Sequence, residues 1–339
     1  MEKEIPEVDY FLGVNSEDKI IDILIKLSGK KENKKICSHR KSLHSSYLKI
    51  SEGCSNRCSY CSIPDIRGSY KSRSKEDVFM DLKKLLQKGA KEINLIAQDT
   101  TLYGKDIYDN YYLYDLMKDI SDNKQVEWLR LLYTHPKHLS SDVISLINER
   151  DNICQYIDLP LQHINDNILK RMGRGVSKKD IINLIENIKK YNIAIRTSFI
   201  IGFPGEGEKE FQELLDFVKE VKFERLGVFK YSQEEGTPAF NFKQQVEEKV
   251  MDERFHKLMT EQQYISEQYN KDLQGKDLNI IIDGVSEFDE NIFIGRSKID
   301  APDVDGIVFI EKKDNVNIGD IVKVKITDTY EYDLKGYIL

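Results

Sequence analysis

Cysteine is scarce in this chain, with five residues in 339, which argues against a disulfide-stapled scaffold. Apolar runs are short, and none approaches the ~18 residues that a membrane-spanning helix needs. The start, Met1-Glu2-Lys3-Glu4, lacks the basic and apolar regions of a signal peptide, so the expected location is the cytoplasm. Basic residues are not in excess either: 51 Lys+Arg stand against 58 Asp+Glu, a net charge of −7. That deficit is uneven. Leu273–Leu339 carries 8 Lys+Arg and 14 Asp+Glu, a net of −6, and leaves only −1 for everything before it. An acidic module repels a phosphate backbone and suits a basic partner, although surface acidity also serves solubility alone. No internal repeat or low-complexity segment is present. What remains is a globular chain of 40% hydrophobic and 32% charged residues, long enough for one large unit and a small one.

Three of the five cysteines sit together, in Gly53-Cys54-Ser55-Asn56-Arg57-Cys58-Ser59-Tyr60-Cys61. The spacing is C-x3-C-x2-C with no fourth cysteine nearby. Three thiolates on one short loop can hold three irons of a 4Fe–4S cube and leave the fourth open to a substrate or cofactor. A structural zinc site is the alternative; it would need a fourth ligand, for which His39 and His44 are the candidates. Cys37 and Cys154 are isolated and read as ordinary thiols.

After the cysteine loop, β-branched runs alternate with amphipathic stretches. Strands are predicted at Tyr47–Gly53, Glu92–Thr100, Trp128–Thr134, Tyr156–Gln162, Ala194–Phe203 and Arg225–Ser232. Helices are predicted at Ser74–Gly89, Tyr112–Ser121, Ser140–Arg150, Ser177–Tyr191 and Glu208–Val221. Ser74 with Asp77, and Ser177 with Asp180, are weakened capping boxes, and Gly89 stands where a C-cap glycine belongs. Strict alternation implies a parallel sheet with right-handed crossovers. Six units are too few for the eight of a complete barrel, so an open, partial (β/α) barrel is expected. A long helix, about Val246 to Asp272, follows. Five short strands (Asn279–Val285, Ile292–Arg296, Gly306–Glu311, Ile321–Thr327 and Lys335–Ile338) then predict a small antiparallel β-barrel of OB-like kind. The expected units are therefore residues 1–46, 47–272 and 273–339, the first holding one helix-like stretch, Asp18–Leu27.

In such a sheet, ligand sites lie beyond the C-terminal ends of the strands. The cysteine loop follows the first strand, Gln98-Asp99-Thr100 ends the second, and Thr134-His135-Pro136 follows the third. Pro160-Leu161-Gln162-His163, Gly202-Phe203-Pro204-Gly205-Glu206 and Tyr231-Ser232-Gln233-Glu234-Glu235-Gly236-Thr237 end the others. Polar and glycine-bearing turns thus share one rim with the cysteines. His135, His138 and His163 lie among them, and nothing marks any one as a metal ligand.

The cysteine loop, with Tyr60 before its last cysteine, resembles the radical S-adenosylmethionine (SAM) superfamily. The flanking runs Ile50-Ser51-Glu52-Gly53-Cys54, Cys61-Ser62-Ile63-Pro64, Arg67-Gly68 and Ser72-Arg73-Ser74 are similar to its methylthiotransferases. So are Gln98-Asp99 and the segment from Arg196 to Glu206, and the five-strand tail resembles their TRAM module. Tyr133-Thr134-His135-Pro136, Gln233–Thr237 and Ala301-Pro302-Asp303-Val304-Asp305-Gly306 look like the branch that methylthiolates an aspartate β-carbon of ribosomal protein S12. The rival branch modifies tRNA adenosine, and a third possibility is a fragment that only binds the ribosomal protein.

The resemblance implies a SAM-binding 4Fe–4S cluster on Cys54, Cys58 and Cys61 and reductive cleavage of SAM to a 5′-deoxyadenosyl radical. No catalytic side chain is implied beyond the cluster. Tyr60 would lie beside adenine, and Gln98 and Asp99 would meet the amino or ribose end. Arg196 would pair the SAM carboxylate, Gly202 and Gly205 would admit the adenosine, and Gln162 completes the set. Ordinary packing for Tyr60, helix capping for Gln98 and Asp99, and a plain turn at Pro204-Gly205 are the competing readings. Ribosomal protein S12, free or on the small subunit, is the implied partner, with a flavodoxin or ferredoxin as electron donor. Direct nucleic-acid contact is not expected, and a monomer is. Members of the family also begin with a domain holding a second 4Fe–4S cluster. Ile5-Pro6-Glu7-Val8-Asp9 resembles the end of that domain, which makes the chain look N-terminally shortened and its full activity uncertain.

Overall fold

A computed structural model describes residues 5–13, 16, 19–29 and 44–339; Cys37, His39 and the start of the first predicted helix lie outside these. Six strands form one parallel sheet in sequential order: β1 Ser45–Lys49, β2 Glu92–Ile96, β3 Trp128–Leu131, β4 Ile153–Asp158, β5 Ala194–Ile201 and β6 Arg225–Lys230. The sheet stays open, as six units require. Side chains alternate between its faces with the period of two that a strand imposes. Ile93, Leu95, Leu129, Leu131, Ile157 and Ile195 join the main core under the helices. The opposite face carries buried Glu92, Asn94, Arg130, Tyr156 and Asp158 and half-buried Arg196, an unusually polar set for strand positions.

The crossover helices are α1 Lys75–Gln87, α2 Leu113–Ser121, α3 Ser141–Glu149, α4 Asp166–Met172, α5 Lys178–Lys189 and α6 Glu208–Val221. Both Ser–Asp pairs cap as their spacing suggests: the Ser74 hydroxyl accepts from the Asp77 N–H, and Ser177 with Asp180 closes a reciprocal box. Helix α4 has no counterpart in the sequence reading. It is seven residues long, about two turns, capped by the Asn165 side chain and ended by Gly173 at φ 71°, too short to display an amphipathic period. Strand β4 also begins three residues earlier than predicted, at Ile153 rather than Tyr156.

The long helix α7, Glu248–Lys271, spans about 36 Å at 1.5 Å per residue and leads to the second unit. There β7 Asp277–Val285, β8 Ile292–Ser297, β9 Val308–Glu311, β10 Ile321–Thr329 and β11 Leu334–Ile338 close a barrel in the order β8-β9-β11-β10-β7. The barrel is not wholly antiparallel, as expected from the sequence, but mixed. Four pairings are antiparallel, whereas β9 and β11 run parallel, because the chain crosses back through β10 before closing.

The barrel plugs the N-terminal ends of the large sheet. Ile281 and Ala301 pack on Trp128, Cys154, Tyr156 and Ala194. Glu92, Trp128, Ala194 and Arg225, all at this junction, are the first residues of their strands. Buried ion pairs join the units, Arg296 to Glu92 at 2.8 Å and Arg225 to Asp300 at 2.6 Å, while Arg130 pairs Glu92 within the sheet at 3.0 Å and donates across to the Lys298 carbonyl. The Tyr156 hydroxyl donates to Asp305 at 2.6 Å. Burial alone would raise the Glu92 carboxyl, but Arg130 and Arg296 outweigh it and hold the pKa at about 2. With this floor sealed, the opposite rim is the open end.

Candidate active site

The cysteine loop leaves β1 through a two-residue ribbon, Ser51–Glu52 paired with Lys71–Ser72. Gly53 is forced by the crossing: φ is 75°, and a Cβ would lie 2.4 Å from the Ser69 carbonyl oxygen. The Cys54 N–H donates to the Gly68 carbonyl and the Cys61 N–H to that of Cys58, both at 3.1 Å. Helix α4 holds the middle of the loop. The Ser59 N–H donates to the Met172 carbonyl at 2.9 Å, and its hydroxyl to that of Arg171 at 2.8 Å. Gly173 closes against the loop, where a Cβ would meet the Arg57 carbonyl at 2.8 Å. Cys54 and Cys58 are buried, Cys61 is half-buried, and all three are free thiols. Burial pushes the Cys54 and Cys61 thiols up.

Around this loop the structure gathers most of the predicted residues. The Tyr60 ring stands edge-on to Phe203, centroids 6.5 Å apart, and burial raises its hydroxyl above the ordinary range. Tyr60 and Gln162 line a cavity of about 310 Å³ with Pro160, Ser198, Ile200, Phe229, Tyr231 and Glu234. Gln162 sits there at φ 73°, its carbonyl accepting from Ile200. Gln98 donates to Glu52 at 3.0 Å, leaving its buried Oε1 without a partner. Asp99 is almost fully buried and accepts from Asn56 of the cysteine loop at 2.7 Å, from the Thr101 N–H, and from His138 at 3.3 Å. Burial opposes the Asp99 charge, yet these bonds keep its pKa below the usual carboxylate value. The capping reading of Asp99 therefore holds together with a role in bracing the cysteine loop. A larger groove, about 1060 Å³, lies outside the sheet between α5 and α6 and shares no residue with this rim constellation.

Arg196 does not stand free for a carboxylate ligand: its guanidinium lies 3.1 Å from Asp158 and 3.4 Å from Asp305 of the barrel. Gly202 and Gly205 both stand where a side chain would crowd the protein. A Cβ on Gly202 would lie 2.2 Å from Met251 of α7, and one on Gly205 3.0 Å from the Arg171 guanidinium. Their turn is clamped by buried Glu206, which accepts from the Gly202 N–H at 3.0 Å and from Arg254 at 2.7 Å. His44 is likewise no fourth zinc ligand. It lies before β1, bonded to Asp283 of the barrel at 2.9 Å, with the length of the strand between it and the cysteines.

Sequence reading missed Arg174. Its guanidinium is 5% exposed and reaches Cys58 Sγ at 3.6 Å, the Tyr60 hydroxyl at 3.5 Å and the Pro160 carbonyl at 2.5 Å. His135 is close enough to feel this cation; burial first, then Arg174, holds its pKa at about 3. It is therefore neutral, with Nδ1 accepting from the Lys137 N–H. Asp99, His135 and His138 bring one ligand atom each within 4.8 Å. A metal there is disfavoured, because a ligating histidine donates its second N–H, whereas His135 Nδ1 accepts.

The chain matches the Radical SAM superfamily model over residues 48–218 and the TRAM domain model over 275–339. It is thus a radical SAM protein whose sheet is plugged by a TRAM barrel. It is 44% identical over 349 aligned residues to the ribosomal protein uS12 methylthiotransferase RimO of Clostridium botulinum (strain Okra), covering 98% of this chain and 78% of that one. The like-named protein of Geotalea uraniireducens is 43% identical over 99% of this chain and 78% of its own. The chain belongs to this family of radical SAM methylthiotransferases. Among solved structures, the radical SAM methyltransferase TsrM of Kitasatospora setae is similar over 57% of this chain and 36% of its own, with 18% identity and a TM-score of 0.48.

The family implies a 4Fe–4S cluster and SAM, and the donor set fits. Three free thiols share one braced loop at the open rim, and Cys154 is sealed under the floor. Buried Gln98 Oε1, His135 Nε2 and Arg174 Nε, all on this rim, lack partners among the described residues. No helix among the described residues is long and apolar enough to cross a membrane.

Proposed function

We propose that this chain methylthiolates an aspartate β-carbon of ribosomal protein uS12, as the names of its relatives describe for them. The observation that carries the reading is the 44% identity extending across both units, cysteine loop included. Cys54, Cys58 and Cys61 would hold the cluster, which when bound supplies the electron that cleaves SAM reductively. Tyr60 and Gln162 wall the cavity beside the cluster. Gln98 Oε1 offers an acceptor for an ammonium group. Asp99 and Asn56 fix the loop so that the thiolates converge, and the aromatic wall of Phe203, Tyr231 and Tyr60 excludes water from the reacting face.

We assign the units to residues 1–46, 47–272 and 273–339, the last two being the radical SAM core and the TRAM barrel. A cytoplasmic monomer, reduced by a flavodoxin or ferredoxin and acting on uS12 free or on the small subunit, completes the reading. The acidic surface that would meet a basic protein is smaller than the net charge suggests. Asp300, Asp305 and Asp320 are occupied by Arg225, Arg196 and Lys91 of the core. Glu234 and Glu235 remain exposed on the rim. The test is to incubate anaerobically reconstituted protein with SAM, reductant and either uS12 or tRNA. SAM cleavage is expected, with any methylthio mass gain on the protein; a gain on tRNA would overturn the assignment.

A further inference from the structure

We propose that Arg174 is a positioning residue that sets the reduction potential of the cluster, by placing a buried guanidinium against Cys58 and compensating the added electron. The inference rests on the cluster proposed above.

Arg174 is a buried cation without an ion pair among the described residues, which is rare for arginine. Its bonds go instead to the Cys58 sulfur, the Tyr60 hydroxyl and the Pro160 carbonyl, all at the cysteine loop or the cavity beside it. A buried charge left without compensation is costly, so an anion belongs opposite it. Three ligating thiolates supply that anion.

The placement is built. Helix α4 ends at Gly173, whose φ of 71° turns the chain just after Met172 and Arg171 have accepted the two Ser59 bonds. One turn of chain therefore fixes both Cys58 and the guanidinium that addresses it. The Arg171 guanidinium, three residues earlier, stacks on Phe242 at 5.3 Å and makes no such contact.

The electrostatic consequence follows from charge balance. A [4Fe–4S]2+ core with three thiolates carries one net negative charge; accepting one electron gives [4Fe–4S]+ and two. A fixed cation in a low-dielectric site favours the more negative state, and hydrogen bonds to the ligating sulfur act in the same direction. Arg174 thus eases the reduction on which SAM cleavage depends.

The test uses the whole chain, reconstituted anaerobically, with iron counted and the midpoint read by EPR during titration with titanium(III) citrate as one-electron donor. Arg174→Gln should keep its iron, and at a fixed potential near the parental midpoint its reduced-to-oxidised ratio should fall about tenfold, roughly 59 mV for one electron. Arg174→Lys should recover most of that loss, and Arg171→Gln, which removes a charge from the same turn, should leave the midpoint unchanged. A parental midpoint in iron-replete Arg174→Gln overturns the inference, as does an equal shift in Arg171→Gln. Loss of iron from both Arg174 variants would make the residue a structural brace and also overturn it. Should the parent itself bind no cluster, the proposed function fails first, and this inference with it.

Discussion

At the N-terminal ends of the parallel sheet, Arg130, Arg225 and Arg296 lie buried against carboxylates. At the C-terminal ends, Arg174 lies equally buried against a thiol. The floor is electrically closed: Glu92 answers two guanidiniums, and Asp283 and Asp300 complete the set. The rim is left open. Its cation faces a thiol, and several buried polar atoms there have no partner among the described residues. The difference teaches how to read a buried arginine. Paired with acid it locks two units in register; aimed at sulfur it marks where a cofactor's charge is to sit.

The sharpest way to break this comparison is to remove the thiols. Replacing Cys54, Cys58 or Cys61 by Ala should abolish the four irons and four sulfides expected on reconstitution. Cys154→Ala, under the floor, should keep them. Iron and labile-sulfide assays decide, and retention of the cluster without Cys58 would refute the rim reading.

On the floor, Glu92→Gln should cost about 3–5 kcal/mol by leaving buried Arg130 without its carboxylate, while Arg296 keeps Asp283. Urea unfolding of the iron-free protein measures it. The same carboxyl predicts an acid limb. Its folded pKa of about 2 lies below the ordinary carboxyl value of 4.5, so its contribution is complete above pH 4.5 and fades as pH falls toward 2. In Glu92→Gln that part of the pH dependence should disappear, and an unchanged acid limb would show that the pair does not carry it.

A smaller effect is expected where the loop is braced. Asp99→Asn keeps a side chain that can bond Thr101 but weakens the charge-assisted bonds to Asn56 and His138. Iron content should hold while the rate of SAM cleavage drops roughly tenfold, about 1.4 kcal/mol. Smallest of all, Glu234→Lys with Glu235→Lys should slow association with uS12 several-fold at low salt and weaken its salt dependence, leaving SAM cleavage intact. Stopped-flow association at two ionic strengths tests this. Parental kinetics would remove these two acids from the encounter surface.

Much of the architecture was legible because it is periodic. The six β/α units, the long helix and the five tail strands each display their repeat over enough residues to be read. Helix α4 does not, being seven residues long, and so Arg174 just behind it went unread. The signal that could have exposed it was an arginine between two glycines following a helix-ending Met172-Gly173. The parallel pairing of β9 with β11 was equally hidden, since strand direction in a closed barrel depends on the path of closure.

The closeness of the three cysteines was determined by the sequence itself, because residues on one short loop are neighbours whatever the rest of the chain does. The surroundings of Arg196, Gly202 and Gly205 were decided only by tertiary structure. Each meets a partner from a distant segment: Asp305 from the barrel, Met251 from α7 and Arg171 from α4. A side chain's charge can be read from its letter. Which opposite charge or close contact it meets depends on packing between segments far apart in the chain, and in this molecule that packing separates the cations that hold the protein together from the one that faces the cluster.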